Sequence, residues 1–407
     1  MVKTVFSPKT GDIIKIPASK SEVHRLLICA ALSDKITRVH CDGLNDDIEA
    51  TVQCLNSLGA EITFSDGIFT VKPINDIPEK PVLYPKESGS TLRFLLPLTA
   101  LFGKDTVFVT EGRLADRPLS PLKEELENAG VNITVDSNKI RVSGKCIKTA
   151  YSIAGGVSSQ FISGLIFMLT KTGGEIVITE KTESRPYIEM TIDTLRRFGC
   201  KVSFNDNIIT VPETAPLISP DEVKAGGDWS NAAFFLSAGI IGKEKITVSG
   251  LNEDSVQGDR KIIDILRAFG GKIESDKNGI SAYPSALHGI SIDASDIPDL
   301  VPVLSVVAAN ADGKTEIKSC KRLRFKESDR IEAVCNMIKK LGGKITAKED
   351  DIIIEGSPLR GGEVDSVNDH RIAMSAAVAS FSTDGSVVVN GAEAVKKSYP
   401  AFWDEIR

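Results

Sequence analysis

Along the chain, apolar residues recur at helical spacing in stretches that stop at a glycine and give way to short alternating segments. The first reads Leu58-Gly59-Ala60-Glu61-Ile62. Ala129-Gly130-Val131-Asn132-Ile133, Phe198-Gly199-Cys200-Lys201-Val202, Phe269-Gly270-Gly271-Lys272-Ile273 and Leu341-Gly342-Gly343-Lys344-Ile345 follow, with glycines 71, 69, 71 and 72 residues apart. Glycine adopts the left-handed conformation that closes a helix, so each copy predicts an amphipathic helix with its C-cap. The alternation beyond it predicts strands, and Asp66-Gly67, Asn205-Asp206-Asn207 and Asn278-Gly279 predict hairpin turns.

A second series of helices is led by polar residues and continues apolar. Its starts are Ser21, Ser88, Ser158, Asp228, Asp299 and Asp369, with separations of 67, 70, 70, 71 and 70 residues. A sixth copy of the glycine-ended helix begins at Tyr399 and stops at Arg407, before its glycine and strand. Residues 1–16, with a strand predicted over Asp12 to Ile16, can supply what that repeat lacks. The expected fold is therefore α/β, with six repeats of two helices and a few strands in two domains. One domain joins 1–16 to 227–407; the other, 17–226, is inserted, with the boundary near Gly226-Gly227-Asp228. Near-equal spacings in two registers are hard to obtain from chance Leu-Gly-Gly strings.

Composition narrows the function. The 407 residues are 42% hydrophobic and 26% charged, as in a soluble protein with a substantial core. A net charge of −6 argues against a nucleic-acid or anionic-membrane surface, so any anion site is a local basic cluster in an acidic protein. The seven cysteines are odd in number and contain no Cys-x-x-Cys, which predicts reduced thiols in the cytoplasm. His24, His40, His288 and His370 lack metal-ligand spacing, so no metal site is expected. No signal or membrane-spanning segment is expected either. P-loop, G-x-G-x-x-G and Gly-x-Ser-x-Gly fingerprints are missing, which disfavours nucleotide chemistry and the hydrolase elbow.

Candidate chemistry gathers at the starts of the second helices. In Pro17-Ala18-Ser19-Lys20-Ser21-Glu22-Val23-His24-Arg25, Ser19 or Ser21 can cap a helix. Lys20 and Arg25 then crowd a helix end that favours anions, which suggests a bound anion shared by both cations. Glu87-Ser88-Gly89-Ser90-Thr91 precedes Arg93, and Gly89 allows close approach to the backbone. Gly156-Val157-Ser158-Ser159-Gln160 offers hydroxyls beside free N–H groups, and Asn368-Asp369-His370-Arg371 opens the last repeat. Dense charge also marks Ala115-Asp116-Arg117-Pro118-Leu119, Ser184-Arg185-Pro186-Tyr187 and Arg322-Leu323-Arg324-Phe325-Lys326-Glu327-Ser328-Asp329-Arg330. Each alone reads equally well as an ordinary cap or a solvated loop. In the last, a Glu between Lys and Arg suits an acid/base carboxylate near bound anions.

Assembled in order, these stretches resemble the 5-enolpyruvylshikimate-3-phosphate synthase family, the 3-phosphoshikimate 1-carboxyvinyltransferases, over essentially the whole chain. The resemblance implies a two-domain inverted α/β barrel of six βαββαβ repeats, three per domain, with helix N-termini directed at an interdomain cleft holding the active site. It implies addition of the 5-hydroxyl of shikimate 3-phosphate to C2 of phosphoenolpyruvate, protonation at C3, and loss of phosphate from a tetrahedral intermediate. This step leads toward chorismate and the aromatic amino acids. Lys20 matches a lysine at both substrates and a proton-transfer candidate. Ser21 and Arg25 match binders of the shikimate carboxylate. Gly89 and Arg117 match positions at phosphoenolpyruvate. Ser158, Ser159 and Ser184 match the phosphate seat of shikimate 3-phosphate. Gln160 and Tyr187 lie beside its ring, Gln160 touching phosphoenolpyruvate as well. Asp299 matches the aspartate on the ring hydroxyls, a candidate base; Lys326 a shikimate 3-phosphate ligand; and Glu327 a proton-transfer carboxylate. Arg330, Arg371 and Lys397 match cationic contacts to phosphoenolpyruvate, with His370 beside them. No cofactor is implied, the partners are the two small substrates, and a cytoplasmic monomer is expected.

The sequence departs from the family pattern twice. Glu87-Ser88-Gly89-Ser90-Thr91 stands where many members have Asn-Ala-Gly-Thr-Ala, which leaves the response to glyphosate open. Arg322 stands where many have Asn, so that contact is not carried over. The nearest rival is the sister enzyme that uses UDP-N-acetylglucosamine. It would show Lys-Asn at Lys20-Ser21 and a loop cysteine between Cys54 and Cys146, where this chain has none. A non-catalytic repeat scaffold has no need to keep Lys20, Asp299 and Glu327 together.

Overall fold

Six helices carry the polar-led starts in the computed structural model: Lys20–Ala31, Gly89–Phe102, Ser159–Leu169, Trp229–Ile241, Val301–Ala309 and His370–Ala379. The structure describes residues 1–11, 13–213 and 216–406. Asp12, in the predicted first strand, and Arg407, where the predicted sixth glycine-ended helix stops, lie outside the described residues. These helices are buried along nearly their whole length, as their apolar composition requires. The glycine-ended helices are Asp46–Ser57, Leu122–Glu127, Arg185–Arg197, Ile262–Ala268 and Arg330–Lys340. Gly59, Gly130, Gly199, Gly270 and Gly342 all have φ between 80° and 98°, the left-handed region expected of such caps. A Cβ on Gly59 would stand 2.0 Å from the carbonyl oxygen of Asp76, so a side chain is excluded there.

Each repeat reads strand, helix, strand, helix, hairpin. In the second, Val82–Lys86 runs parallel to Thr106–Thr110, which pairs antiparallel with Lys139–Gly144, which in turn pairs with Val131–Asp136. The same order recurs in five four-stranded sheets, and a three-stranded sheet carries the last repeat. There the N-terminal strand Val2–Val5 pairs antiparallel with Val387–Asn390. The strand predicted over Asp12 to Ile16 shortens to Ile14–Lys15 and joins Ile246–Ser249. Conversely, Glu222–Lys224 joins the first repeat through Thr37–His40.

These two short strands explain why the chain divides discontinuously. Each runs in one unit and leads directly into a helix of the other. One compact unit comprises Met1–Pro17 with Gly226–Arg407, and the other Ala18–Ala225. Each has its own core, one around Phe234, Phe235 and Phe402, the other around Phe94, Phe161 and Phe167.

Two sequence expectations are corrected. Ser19 holds the N-cap position of Lys20–Ala31, yet its side chain makes no capping hydrogen bond, and Ser21 lies inside the helix. Asp299 does not start its helix; Leu300 is the cap and Val301 the first helical residue, with Pro302 providing a preset φ.

Candidate active-site residues

In the unit 18–225, Lys20 opens its helix and its Nζ donates to Asp47 Oδ2 at 2.7 Å. Asp47 lies in the first turn of Asp46–Ser57, where a carboxylate is favoured. Arg25 is buried, and its guanidinium is aimed by three bonds: Nε to Thr191 Oγ1 at 2.8 Å, Nη1 to the Ser21 carbonyl at 2.6 Å and Nη2 to the Tyr187 carbonyl at 2.9 Å. It also lies over the Phe94 ring at 4.9 Å. Burial lowers Arg25 to about 10, so it stays cationic at neutral pH. His24 is the reverse case. Burial first, then Lys20 and Arg25, hold it well below its ordinary range. It serves as a neutral link to Thr51 Oγ1 at 2.7 Å, which continues to Thr91 and Ser88.

Gly89 is the first residue of its helix, capped by Ser88. A Cβ there would meet the Arg117 guanidinium at 2.8 Å from Nη1 and 3.0 Å from Nη2, so the glycine is the seat against which Arg117 lies. Gln160 accepts from Arg93 Nη1 at 2.8 Å and donates to Ser90 Oγ at 2.9 Å. Arg93 Nη2 also donates to the Pro118 carbonyl at 3.1 Å, beside Arg117. One buried arginine thus orients both Gln160 and the Arg117 loop. The sequence marks Arg93 beside the Glu87–Thr91 stretch but assigns it no role, because it falls inside an apolar helix with no motif of its own. Ser158 caps Ser159–Leu169 and accepts from Gln160 N at 3.3 Å. Ser159 and Ser184 are buried, and Ser184 holds a left-handed backbone (φ 52°, ψ 39°) before Arg185–Arg197.

In the unit 1–17 with 226–407, charge is concentrated around two arginines. Asp299 Oδ1 accepts from Arg330 Nη1 at 2.6 Å and lies 3.5 Å from Lys326 Nζ; Oδ2 accepts from Arg371 Nη2 at 3.0 Å. Arg330 Nη2 donates to Glu327 Oε2 at 2.6 Å, and its Nε to Asp369 Oδ2 at 2.7 Å. Asp369 caps His370–Ala379 and also accepts from Arg371 N at 2.9 Å and Ser328 Oγ at 3.0 Å. Burial alone would raise Asp299, but Arg371, Lys326 and Arg330 outweigh it and hold the carboxyl well below the usual range. Burial lowers Lys326 to about 8 despite Asp299 beside it. Arg330 is raised: burial opposes its charge, and Asp369, Glu327 and Asp299 more than compensate. Lys397 Nζ donates to the Asn368 carbonyl at 2.7 Å, and Arg322 Nη2 to the Ser295 carbonyl at 2.6 Å.

Structure therefore brings Asp299, Lys326, Glu327, Arg330 and Arg371 into one ion-pair cluster, with Lys397 near its Asp369 edge. In the other unit it brings together Ser21 with Arg25, Gly89 with Arg117, and Ser158 with Gln160. A carboxylate ringed by cations accepts a proton poorly.

A family model described as EPSP synthase (3-phosphoshikimate 1-carboxyvinyltransferase) matches residues 7–406. A 3-phosphoshikimate 1-carboxyvinyltransferase of Clostridium kluyveri is 41% identical over 97% of this chain and 94% of its own length. That of Clostridium acetobutylicum is 40% identical, covering 98% and 94%. Among solved structures, EPSP synthase from Acinetobacter baumannii superposes with a TM-score of 0.79 at 26% identity, over 99% of this chain and 97% of that one. An enolpyruvyl transferase of Streptomyces tendae, at 16% identity and a TM-score of 0.75, shares the fold over 100% of this chain and 98% of its own. The chain belongs to the EPSP synthase family. It is an enzyme of enolpyruvyl transfer in the shikimate pathway.

Proposed function

We propose that the acceptor is the 5-hydroxyl of shikimate 3-phosphate, the donor phosphoenolpyruvate, and the two residue clusters above the machinery. The observation that carries this reading is Asp299 held by Arg330, Arg371 and Lys326 with Glu327 on the same Arg330. Each substrate carries roughly three negative charges from a phosphoryl group and a carboxylate. Lys20, Arg25, Arg117, Lys326, Arg330, Arg371 and Lys397 are the cations that offset them. Arg25 and Ser21 hold the shikimate carboxylate, Ser158, Ser159 and Ser184 its phosphate, and Gln160 its ring with Tyr187 alongside. Gly89, Arg117, Arg371 and Lys397 serve phosphoenolpyruvate, with Lys20 and Gln160 also in reach of it. Arg330 joins them by giving up part of its hold on Asp299 or Glu327.

As substrate anions draw Arg371 and Lys326 away, Asp299 loses the cations that suppress its basicity and takes the hydroxyl proton. Glu327 and Lys20 move the protons at C3 of the donor and at the departing phosphate. The setting we propose is a cytoplasmic monomer. The seven buried free thiols suit a reducing compartment, and no described helix is long and apolar enough to cross a membrane.

The direct test is inorganic phosphate release from phosphoenolpyruvate, with and without shikimate 3-phosphate and with UDP-N-acetylglucosamine as control acceptor. Release that requires shikimate 3-phosphate is expected; release with the nucleotide sugar alone would reassign the acceptor. Two further outcomes follow from the geometry. Gly89→Ala pushes a methyl into the Arg117 guanidinium, so the KM for phosphoenolpyruvate should rise about tenfold or more with the KM for shikimate 3-phosphate little changed. Equal rises in both would mean that Arg117 is not a donor-site cation. Lys326 loses its charge above about 8. In a pH series kcat/KM for shikimate 3-phosphate should therefore fall through that region, whereas Lys326→Arg should postpone the fall.

A further inference from the structure

Two residues that depart from the family pattern share one buried network. Ser88 and Thr91 stand where many members have alanine, and both carry a hydroxyl. Thr91 Oγ1 donates to Ser88 Oγ at 2.8 Å, and Thr91 N donates to the same oxygen at 3.3 Å. Thr91 Oγ1 lies 2.6 Å from Thr51 Oγ1, which lies 2.7 Å from His24 Nδ1. His24, Thr51 and Thr91 are 0% exposed and Ser88 1%, so water competes for none of these bonds. His24 Nε2 is buried with no hydrogen-bond partner among the described residues.

Counting hydrogens gives the network a direction. A hydroxyl has one hydrogen to donate. Thr91 spends its hydrogen on Ser88, so it accepts from Thr51. Thr51 has then spent its own, so it accepts from His24 Nδ1–H. The ring is thereby the neutral Nδ1–H tautomer, and a bare Nε2 is the buried atom left over. The opposite direction would bury an N–H at that position without an acceptor, the orphan that protein interiors tolerate least.

Helix Asp46–Ser57 carries the network toward Gly89. It meets Lys20–Ala31 by two rungs one turn apart, Lys20 to Asp47 at 2.7 Å and His24 to Thr51. It also meets the start of Gly89–Phe102, where Thr51 holds Thr91, and Glu49 Oε2 accepts from Lys86 Nζ at 3.4 Å just before Glu87. Ser88 caps Gly89–Phe102, and Gly89 is the surface on which the Arg117 guanidinium lies. Loss of the cap would loosen the backbone at the one residue where a single methyl strikes that guanidinium.

We propose that His24, Thr51, Thr91 and Ser88 form a one-way hydrogen-bond chain that fixes the Gly89 backbone under Arg117, with Thr91 and Ser88 as positioning residues for the enolpyruvyl donor. This rests on the assignment of Gly89 and Arg117 to phosphoenolpyruvate.

The experiment cuts the chain at successive links with Thr51→Val, Thr91→Val and Ser88→Ala, and keeps it intact with Thr91→Ser. Valine has the shape of threonine without the hydroxyl. Each cut should raise the KM for phosphoenolpyruvate roughly five- to tenfold, with the KM for shikimate 3-phosphate within about twofold of wild type. Thr91→Ser should stay within about twofold in both. Thr51→Val and Thr91→Val combined should be no worse than the more damaging single change, because a chain already cut cannot be cut again. Equal rises in both KM values, multiplied effects in the double variant, or a Thr91→Ser protein as impaired as Thr91→Val would each overturn the proposal.

Nitrogen NMR of the histidine rings provides a readout that needs no turnover. With His24 identified by its loss in His24→Asn, Nδ1 should resonate as the protonated nitrogen and Nε2 as the bare one, and Thr51→Val should shift the Nδ1 signal. A proton on Nε2 would reverse the chain and overturn the proposal by itself. Failure of shikimate 3-phosphate to support turnover would instead remove the functional reading, and the ring signals would still decide the direction of the chain.

Discussion

Glu327→Gln should lower kcat about a thousandfold, the range expected when a positioned proton-transfer group is lost, while the thermal midpoint stays within a few degrees of wild type. The amide keeps an oxygen that Arg330 Nη2 can address, so the 2.6 Å contact and the shape of the cluster survive. What disappears is the capacity to take and return a proton. The KM for phosphoenolpyruvate should not rise, because no cation is removed and one competing anion is. Phosphate release at saturating substrates measures the first effect and a melting curve the second. Unchanged turnover would refute the role of Glu327, and a large fall in midpoint would show that the residue is structural instead.

The repeat was legible because it is written in local chemistry. A glycine after each amphipathic helix is needed for a left-handed cap, and Gly59, Gly130, Gly199, Gly270 and Gly342 all adopt one. Which sheet the short strands join was not legible. Ile14–Lys15 and Glu222–Lys224 are two and three residues long and carry no periodicity that distinguishes one sheet from another. Only the pairings of Ile14 with Val248 and of Val223 with Val39 reveal them as the exchanged first strands of two repeats.

At the site, single cations were legible and their partners were not. Lys20 stands out in its motif, but nothing local announces Asp47, 27 residues on, as its counter-ion. Arg330 reads as one more cation for an anionic substrate; the structure commits it to Asp299, Glu327 and Asp369. Arg93 was visible beside the Glu87–Thr91 stretch but carried no role, because an arginine in an apolar helix has an ordinary reading; its importance comes from Gln160 and the Pro118 carbonyl, which it holds. Arg322, the departure from the family pattern, turns out to be tied to the Ser295 carbonyl beside the stretch that carries Asp299.

That dependence on partners makes Arg330 the most consequential side chain in its unit. It is 1% exposed and Asp369 0%, so neither charge has water to fall back on. Arg330→Leu leaves Asp369 buried without its guanidinium and should destabilise the unit by about 3–5 kcal/mol. It should also abolish measurable turnover, because Asp299 and Glu327 lose the group that aims both. Asp369→Leu alone should be costly for the same reason, with Arg330 now short of one anion and the His370–Ala379 helix without its cap. The double variant removes both buried charges at once. It should therefore be less destabilised than the sum of the single changes, by about 1–3 kcal/mol, as coupling between contacting charges requires. Denaturant unfolding of the four proteins closes this cycle. Additive losses would mean that Arg330 and Asp369 are each held by other neighbours, and that the carboxylates of the site are aimed by something other than this pair.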